Sequence, residues 1–203
     1  MPILIISGSR NPKGRTAELI NAIGAGIARA GGQWESIFLP ALEIERCRQC
    51  DSDGWGLCRR EQRCIIEDDD FAGVLEKIKA VDLVVFATAV YFGDLSESLR
   101  SFLDRLRRTR FRLGPRPSGN IPGPFNSDQG QPAVGLCYAG GSGNGTTSCC
   151  MNLERILQFC GFDVVDMIPA RRQNLEAKLP VMELVGQWLA GVPSSAKCRL
   201  KPV

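Results

Sequence analysis

The 203-residue sequence contains no histidine. This absence excludes a Ser-His-Asp triad, a Cys-His dyad and every metal site that uses imidazole ligands. A bound metal would therefore need cysteine or carboxylate ligands. Any catalysis would have to use other side chains or a bound cofactor.

A strong charge imbalance and a long apolar run are also missing. The 25 lysines and arginines against 22 aspartates and glutamates give a net charge of +3, which is too close to balance for a dedicated nucleic-acid-binding protein. No run approaches the roughly 18 apolar residues of a membrane span, and the first residues lack the pattern of a signal peptide. We therefore expect a cytoplasmic protein with no nucleic-acid or membrane partner.

What the sequence does have is nine cysteines, four of which are grouped. Cys47, Cys50, Cys58 and Cys64 lie in the segment 46–70. In a reducing cytosol such a group is more typical of a metal or redox site than of a disulfide framework. Four thiolates suit a [4Fe–4S] cluster or a structural zinc ion, and a third interpretation is that the thiols are paired or free.

Short β-branched runs alternate with helical patterns along the chain. Strands are predicted at 3–7, 34–39, 83–87, 133–138 and 162–168. Helices are predicted at 16–30, after a cap at Asp69 and Asp70, at 96–108, at 147–160 and from Pro180 onward. This alternation predicts an α/β fold, in which a five-stranded parallel sheet carries helices on both faces. The length predicts a single domain over 1–192, followed by a polar tail over 193–203.

Two segments interrupt the alternation. The cysteine-rich insertion, 46–70, separates the second strand from its helix. A loop rich in proline, glycine and arginine spans 109–131. Loops of this length are usually functional or disordered. We expect the second one to cover the ligand pocket of a neighbouring subunit.

The first loop with a ligand-binding composition follows the first strand. In an open parallel sheet, ligands bind beyond the carboxyl ends of the strands. Backbone N–H groups there, together with the hydroxyls of Ser9 and Thr16, can hold a phosphate at the positive end of a helix dipole. Arg10 and Arg15 add positive charge. The alternative is an ordinary turn between a strand and a helix.

Two further strand ends have an unusual composition. Tyr91 and Phe92 follow the most hydrophobic strand, where they could stack on a flat ring, fold back into the core or lie in an oligomer interface. The segment 138–145 is rich in glycine, which allows a backbone to approach a ligand closely, although such a loop can simply turn. Three such loops at successive strand ends are far more specific than any one of them.

With these loops in place, the sequence resembles the NADPH-dependent FMN reductase and iron–sulfur flavoprotein group of the flavodoxin-like superfamily. The group's middle motif stands here as Thr88-Ala-Val-Tyr-Phe-Gly93, with Ala89 in place of the usual proline, followed by Phe102-Leu-Asp-Arg105. The resemblance covers most of 1–161. It implies a flavodoxin-like three-layer sandwich with the strand order 2-1-3-4-5.

The resemblance also implies a non-covalently bound FMN. Three sets of residues would hold it: Ser9, Arg10, Arg15 and Thr16 at the phosphate, Ala89, Val90, Tyr91, Phe92 and Gly93 along the isoalloxazine ring, and Ala139, Gly140 and Gly141 at the other edge. No catalytic side chain is implied, because flavin N5 carries the chemistry. Such proteins usually form homodimers or homotetramers.

The activity that the resemblance implies is an NAD(P)H oxidoreductase. Its acceptor would be a small molecule such as a quinone, a free flavin, a nitro or azo compound, or a metabolite. The alternative is an electron carrier with a [4Fe–4S] cluster and a ferredoxin-like protein partner. A regulator that binds FMN without turnover has little support in the sequence.

The iron–sulfur flavoproteins carry a compact cysteine motif before an Asp-Asp pair at this place in the chain. Their usual form is CxxCxxC with a fourth cysteine a few residues later. Here Cys50 and Cys58 are separated by seven residues, so the third sulfur must loop back toward the others. The candidate cluster ligands remain the four cysteines of 46–70.

The stretch 100–116 is strongly basic, with seven arginines against one acid, Asp104. Its arginines could recognise the 2′-phosphate of NADPH, because guanidinium groups suit phosphate. An interface between subunits or a solvated helix face is an equally good interpretation. No single arginine is singled out by the sequence.

Overall fold

The computed structural model describes residues 2–110 and 130–191. It contains five strands, β1 (Pro2–Ser7), β2 (Gln33–Phe38), β3 (Leu83–Ala89), β4 (Gln131–Ala139) and β5 (Phe162–Arg171). All neighbouring strands pair in parallel, in the order β2-β1-β3-β4-β5. The predicted α/β fold and strand order are confirmed. The predicted roles of most of the loop 109–131 and of the tail lie outside the described residues.

Six helices connect and cover these strands in the described part of the chain. They are α1 (Arg15–Arg29), α2 (Leu57–Glu61), α3 (Phe71–Lys79), α4 (Glu97–Arg110), α5 (Thr146–Phe159) and α6 (Leu175–Gly191). Short 3₁₀ turns lie at Leu39–Ala41 and Arg172–Asn174. Within the described ranges, no helix is long and apolar enough to cross a membrane.

Alternation along the strands divides the core between the two faces of the sheet. On β1, Ile3 and Ile5 face the cluster built with α1 and α6. Leu4 and Ile6 face the cluster built with α3, α4 and α5. Side chains two residues apart in a strand share a face, so a continuous apolar run is what a strand covered on both sides requires.

Helices α1 and α6 pack against each other at two glycines. A Cβ atom on Gly26 would lie 1.9 Å from the carbonyl oxygen of Glu183, and one on Gly186 would lie 2.0 Å from the carbonyl oxygen of Ile23. The two backbones therefore approach more closely than any side chain would allow. This contact fixes α1, and with it the loop that precedes α1.

The last helix does not begin at Pro180, as the sequence predicted, but at Leu175. The turn before it is closed by the backbone N–H of Arg171, which donates to Asn174 Oδ1 at 2.8 Å. Leu175 is buried and Leu179 packs on the same core, so this first part of the helix is held by apolar contacts. Their burial offsets the one backbone hydrogen bond that a proline removes.

Candidate functional site

The carboxyl ends of β1, β3 and β4 lie side by side because β3 is hydrogen-bonded to both of its neighbours. The loops that follow these three strands enclose a cleft of about 760 Å³, a size within the range of small-molecule and cofactor sites. The residues that line it come from these loops and from the first turns of α1 and α5. They are Ser9, Asn11, Gly14, Arg15, Thr16, Ala89, Val90, Tyr91, Phe92, Gly93, Tyr138, Ala139, Gly140, Gly141, Ser142, Asn144, Gly145 and Ser148.

The structure brings together all but one of the twelve residues that the resemblance named for FMN. The exception is Arg10, which is not among the lining residues and whose guanidinium lies 3.5 Å from Glu97. Sequence reasoning missed Tyr138 and Ser148, among others. Tyr138 begins the glycine-rich segment 138–145, and Ser148 follows it closely. Their ring and hydroxyl groups, so near that segment, were the sequence signal that could have identified them.

The loop after β1 is shaped to present backbone N–H groups. Gly14 is the N-cap of α1 and makes no side-chain cap, so the first N–H groups of that helix are left for another acceptor. The Ser9 and Thr16 side chains beside them are buried. The loop packs tightly on α4 at Gly8, where a Cβ atom would lie 2.2 Å from Ser96 Oγ.

The loop after β3 ends in a tight turn, Tyr91–Asp94. The backbone N–H groups of Tyr91 and Asp94 each donate to the other's carbonyl oxygen at 3.0 Å. The two central residues, Phe92 and Gly93, have positive φ angles of 51° and 81°. A positive φ is rare for a bulky residue and marks a strained position. The rings of Tyr91 and Phe92 are both exposed, so the alternative that they fold back into the core is wrong.

The glycine-rich loop after β4 is braced against that turn. Gly145, with φ of 80°, approaches so closely that a Cβ atom on it would lie 2.6 Å from the Cα of Gly93. Ser148 Oγ also donates to the carbonyl oxygen of Gly93 at 2.9 Å. The β3 and β4 loops therefore form one continuous wall of the cleft.

The four grouped cysteines line a second, small cavity of about 20 Å³. All eight cysteines within the described residues are free thiols. Cys50 is exposed, and slight desolvation of its thiol, followed by the neighbouring thiols of Cys47, Cys64 and Cys58, raises its pKa. Within 2–110 and 130–191, no group of three or more cysteine or carboxylate side chains is arranged as a formed metal site. The sulfurs share one cavity without converging on one point.

Arg105 of α4 lines this cavity and also contacts Phe71 of the hydrophobic core. Its guanidinium is buried and ion-paired with Asp69, and its Cζ lies 4.1 Å from the centre of the Phe71 ring. The sequence pattern of 100–116 did not single it out.

The sequence also predicted that Asp69 and Asp70 cap α3. Only the Asp69 carboxylate accepts a hydrogen bond from a backbone N–H of α3, that of Phe71. The Asp70 carboxylate instead accepts one from the backbone N–H of Glu43.

Four arginines of the cysteine segment form ion pairs with carboxylates: Arg46, Arg48, Arg59 and Arg63. Arg48 pairs with Glu45 at 2.8 Å and Arg59 with Asp53 at 2.7 Å. Three arginines line the cavity: Arg48 of the segment and Arg105 and Arg108 of α4. Arg108 donates to the carbonyl oxygen of Gly54.

The remaining described cysteines belong to the sheet core and α5. Cys137, Cys149 and Cys160 are fully buried. Burial raises the pKa of Cys160 to about 12. Hydrogen bonds with Cys149 and Cys150, together with burial, raise the pKa of Cys137, and its thiol lowers the pKa of the half-buried Cys150. Cys198 lies outside the described residues.

The strand order, with a cleft at the carboxyl ends of its central strands, defines a flavodoxin-like α/β protein. The comparison with known families narrows this class. The chain belongs to the NADPH-dependent FMN reductase family, whose family model matches residues 1–173.

Curated relatives and solved structures point in the same direction. The chain is 33% identical over 123 residues to an iron–sulfur flavoprotein of Methanocaldococcus jannaschii, covering 60% of this chain and 61% of that protein. It is 34% identical over 117 residues to an iron–sulfur flavoprotein of Methanosarcina thermophila, covering 56% and 58%. The matches thus span about three-fifths of the length of these relatives.

The structural neighbours share the fold at low sequence identity. A flavone reductase superimposes with a TM-score of 0.68 at 18% identity, over 95% of this chain and 62% of that one. An NAD(P)H:quinone oxidoreductase from Methanothermobacter marburgensis superimposes with a TM-score of 0.63 at 20% identity, over 93% and 96%.

Proposed function

We propose that this protein is an FMN-dependent NAD(P)H oxidoreductase that passes electrons to a small acceptor such as a quinone, a flavin, or a nitro or azo compound. The observation that carries the proposal is the 760 Å³ cleft in which three loops converge at the carboxyl ends of β1, β3 and β4. FMN, when bound, supplies the redox chemistry by accepting a hydride from a nicotinamide and passing electrons on.

The residues of the cleft fit a flavin mononucleotide. Ser9, Thr16 and the free N–H groups at the start of α1 would hold the phosphate, with Arg15 at the rim. The wall formed by 89–93 would lie along the ring, and Ala139, Gly140 and Gly141 would lie at its other edge. Glycines there let backbone N–H groups come close to ring oxygens.

The side chains of the cleft bind and orient, and none of them is assigned a proton-transfer role. The exposed rings of Tyr91 and Phe92 would limit access of water to one face of the flavin. The hydrogen bond from Ser148 Oγ to the carbonyl oxygen of Gly93 braces the turn that carries them, which would reduce the ordering needed when a ligand binds. Arg10 is exposed and ion-paired with Glu97, and we propose that it acts on the phosphate through charge rather than contact.

The phosphate site is tested by comparing FMN with riboflavin, which lacks the phosphate. The double variant Ser9→Ala/Thr16→Val should weaken FMN binding at least about tenfold and leave riboflavin binding nearly unchanged, because it removes hydrogen bonds to a charged group. Fluorescence titration measures both affinities.

Lys13→Gln is the matched control, since Lys13 is exposed in the same loop but does not line the cleft. It should leave the preference for FMN over riboflavin intact. Equal losses for FMN and riboflavin in the double variant would contradict the phosphate assignment.

A second candidate function, an electron carrier that holds a [4Fe–4S] cluster, is favoured by the four cysteines around one cavity. Four free thiols are the donor set that such a cluster takes, and a relative with one-third identity is named an iron–sulfur flavoprotein. The cavity holds little more than one water molecule, so the segment would have to widen. When bound, the cluster would supply one-electron transfer.

The metal assignment is tested by anaerobic reconstitution and analysis of iron, sulfide and zinc. The proposal expects about four irons per chain, a broad visible absorption band, and loss of both in Cys58→Ser. Cys150→Ser, which changes a half-buried cysteine outside the segment, should retain them. Zinc without an absorption band, or no metal at all, would contradict the cluster.

The surroundings of the protein are also proposals. We propose a cytoplasmic homodimer or homotetramer, with a small acceptor for the oxidoreductase and a ferredoxin-like partner for the carrier. The fully exposed ring of Phe92 beside the cleft supports burial of that ring by a subunit or substrate.

A further inference from the structure

Arg105 is a buried arginine whose terminal nitrogens are occupied. Nη1 donates to the carbonyl oxygen of Glu45 at 3.2 Å and to Asp69, and Nη2 donates to the carbonyl oxygen of Ile66 at 3.2 Å and to Asp69 Oδ1 at 3.3 Å. The side chain is 1% exposed. These contacts hold the guanidinium in one orientation.

The remaining donor of this side chain, Nε–H, has no hydrogen-bond partner. Among the buried side-chain nitrogen and oxygen atoms of the described residues, Arg105 Nε is the one atom without a hydrogen-bond partner. Buried polar groups are nearly always hydrogen-bonded, so such an orphan needs an explanation. A missing ligand is one of the standard explanations.

Arg105 lines the same small cavity as the four thiols of the segment 46–70. Asp69 already balances the charge of the guanidinium, so the cavity gains a directed N–H donor rather than a bare cation. Sulfur ligands that carry negative charge accept such hydrogen bonds.

We infer that Arg105 Nε–H donates a hydrogen bond to a sulfur atom of the [4Fe–4S] cluster bound by Cys47, Cys50, Cys58 and Cys64. The inference rests on the cluster proposed above and adds a residue outside the cysteine segment. Reduction adds one electron to the cluster, and a hydrogen bond stabilises the more negative, reduced form. Arg105 therefore raises the reduction potential of the cluster.

The variant that isolates this atom is Arg105→Lys. Lysine retains a positive charge for Asp69 but has no Nε–H. Arg100→Lys is the matched control, because Arg100 is on the same helix but exposed. Each protein is loaded with iron and sulfide, and the potential is measured by titration with dithionite, monitored by electron paramagnetic resonance.

The expected result is a more negative potential in Arg105→Lys, by about tenfold in the reduction equilibrium, or about 59 mV for a one-electron couple. Arg100→Lys should match the unmodified protein. Equal potentials in all three proteins would overturn the inference while leaving the cluster in place. Absence of iron from the unmodified protein would overturn the cluster and, with it, the inference.

A second measurement needs no variant and decides the case if Arg105→Lys does not fold. Unmodified protein grown with arginine labelled with ¹⁵N only at Nε is loaded and reduced, and the hyperfine coupling of ¹⁵N to the cluster is recorded. A coupled ¹⁵N nucleus is expected. Lack of any arginine coupling would overturn the inference.

Discussion

At the scale of single residues, Asp69 shows how one carboxylate fastens the cysteine segment to the core. It accepts hydrogen bonds from the backbone N–H groups of Glu45 at 2.9 Å and Phe71 at 3.2 Å, besides its ion pair with Arg105. Burial alone would raise the pKa of Asp69, but the hydrogen bond from Arg105, those from the backbone and the charge of Arg105 outweigh it. The pKa is held below its usual value.

Loss of this carboxylate should destabilise the protein. Asp69→Asn leaves Arg105 buried without a counter-ion, which costs about 3–5 kcal/mol in the free energy of unfolding. Asp68→Asn, at the exposed neighbouring position, should change it by less than about 0.5 kcal/mol. Urea unfolding near neutral pH measures both. Equal stabilities would contradict a structural role for the pair.

The same pair has a defined pH dependence. A carboxyl group with a lowered pKa contributes stability that is fully present above its unfolded pKa of about 3.9 and is lost as the pH falls through the lower folded value. The stability difference between the unmodified protein and Asp69→Asn should therefore shrink below about pH 4. A constant difference down to the folded pKa would contradict the assignment.

Single residues also show where sequence reasoning stops. Ser9 and Thr16 could be predicted to line the cleft, because the hydroxyl groups of the loop between β1 and α1 are visible in a short stretch of sequence. Arg105 belongs to the family motif, but its buried ion pair could not be predicted, because its partner Asp69 lies 36 positions earlier and only the folded chain brings them together. Arg10 was predicted at the phosphate from the same loop, but it does not line the cleft. Its ion-pair partner, Glu97, comes from α4, so the local sequence could not reveal the pair.

At the scale of elements, the contact between α1 and α6 determines how firmly the loop after β1 is held. Gly186 lets the carbonyl oxygen of Ile23 approach to a distance at which no Cβ atom fits. The preference of proline for the first turn of a helix predicted that the last helix begins at Pro180. That preference could not predict the start at Leu175, which depends on the packing of Leu175 in the core. Tertiary burial overrode that local preference.

Gly186→Ala should separate the two helices and destabilise the protein by at least about 1–3 kcal/mol, because the added Cβ overlaps backbone that cannot rotate away. Gly73→Ala is the control: Gly73 lies in α3 and has open space around it. It should be neutral or stabilising by up to about 1 kcal/mol. Thermal unfolding of both variants checks the contrast, and a stable Gly186→Ala would refute the close contact.

At the scale of the whole molecule, the alternation of strands and helices predicted a parallel sheet, and the family resemblance predicted its strand order, which the structure confirms. Because β1, β3 and β4 are neighbours, that order brings three separate loops to one cleft. The arrangement of the cysteine segment was harder to foresee. The seven residues between Cys50 and Cys58 contain the start of α2, which returns the chain to the cavity.

The central claim is that the cleft holds FMN that is reduced by a nicotinamide. The most direct test is to reconstitute the protein with FMN, mix it anaerobically with NADPH or NADH, and follow the visible flavin absorbance by stopped flow. The account predicts rapid bleaching by at least one of the two and recovery of the colour when a quinone is added. Flavin that resists both nucleotides but is bleached by reduced ferredoxin would contradict the oxidoreductase and favour the carrier, and a protein that binds no FMN would contradict both.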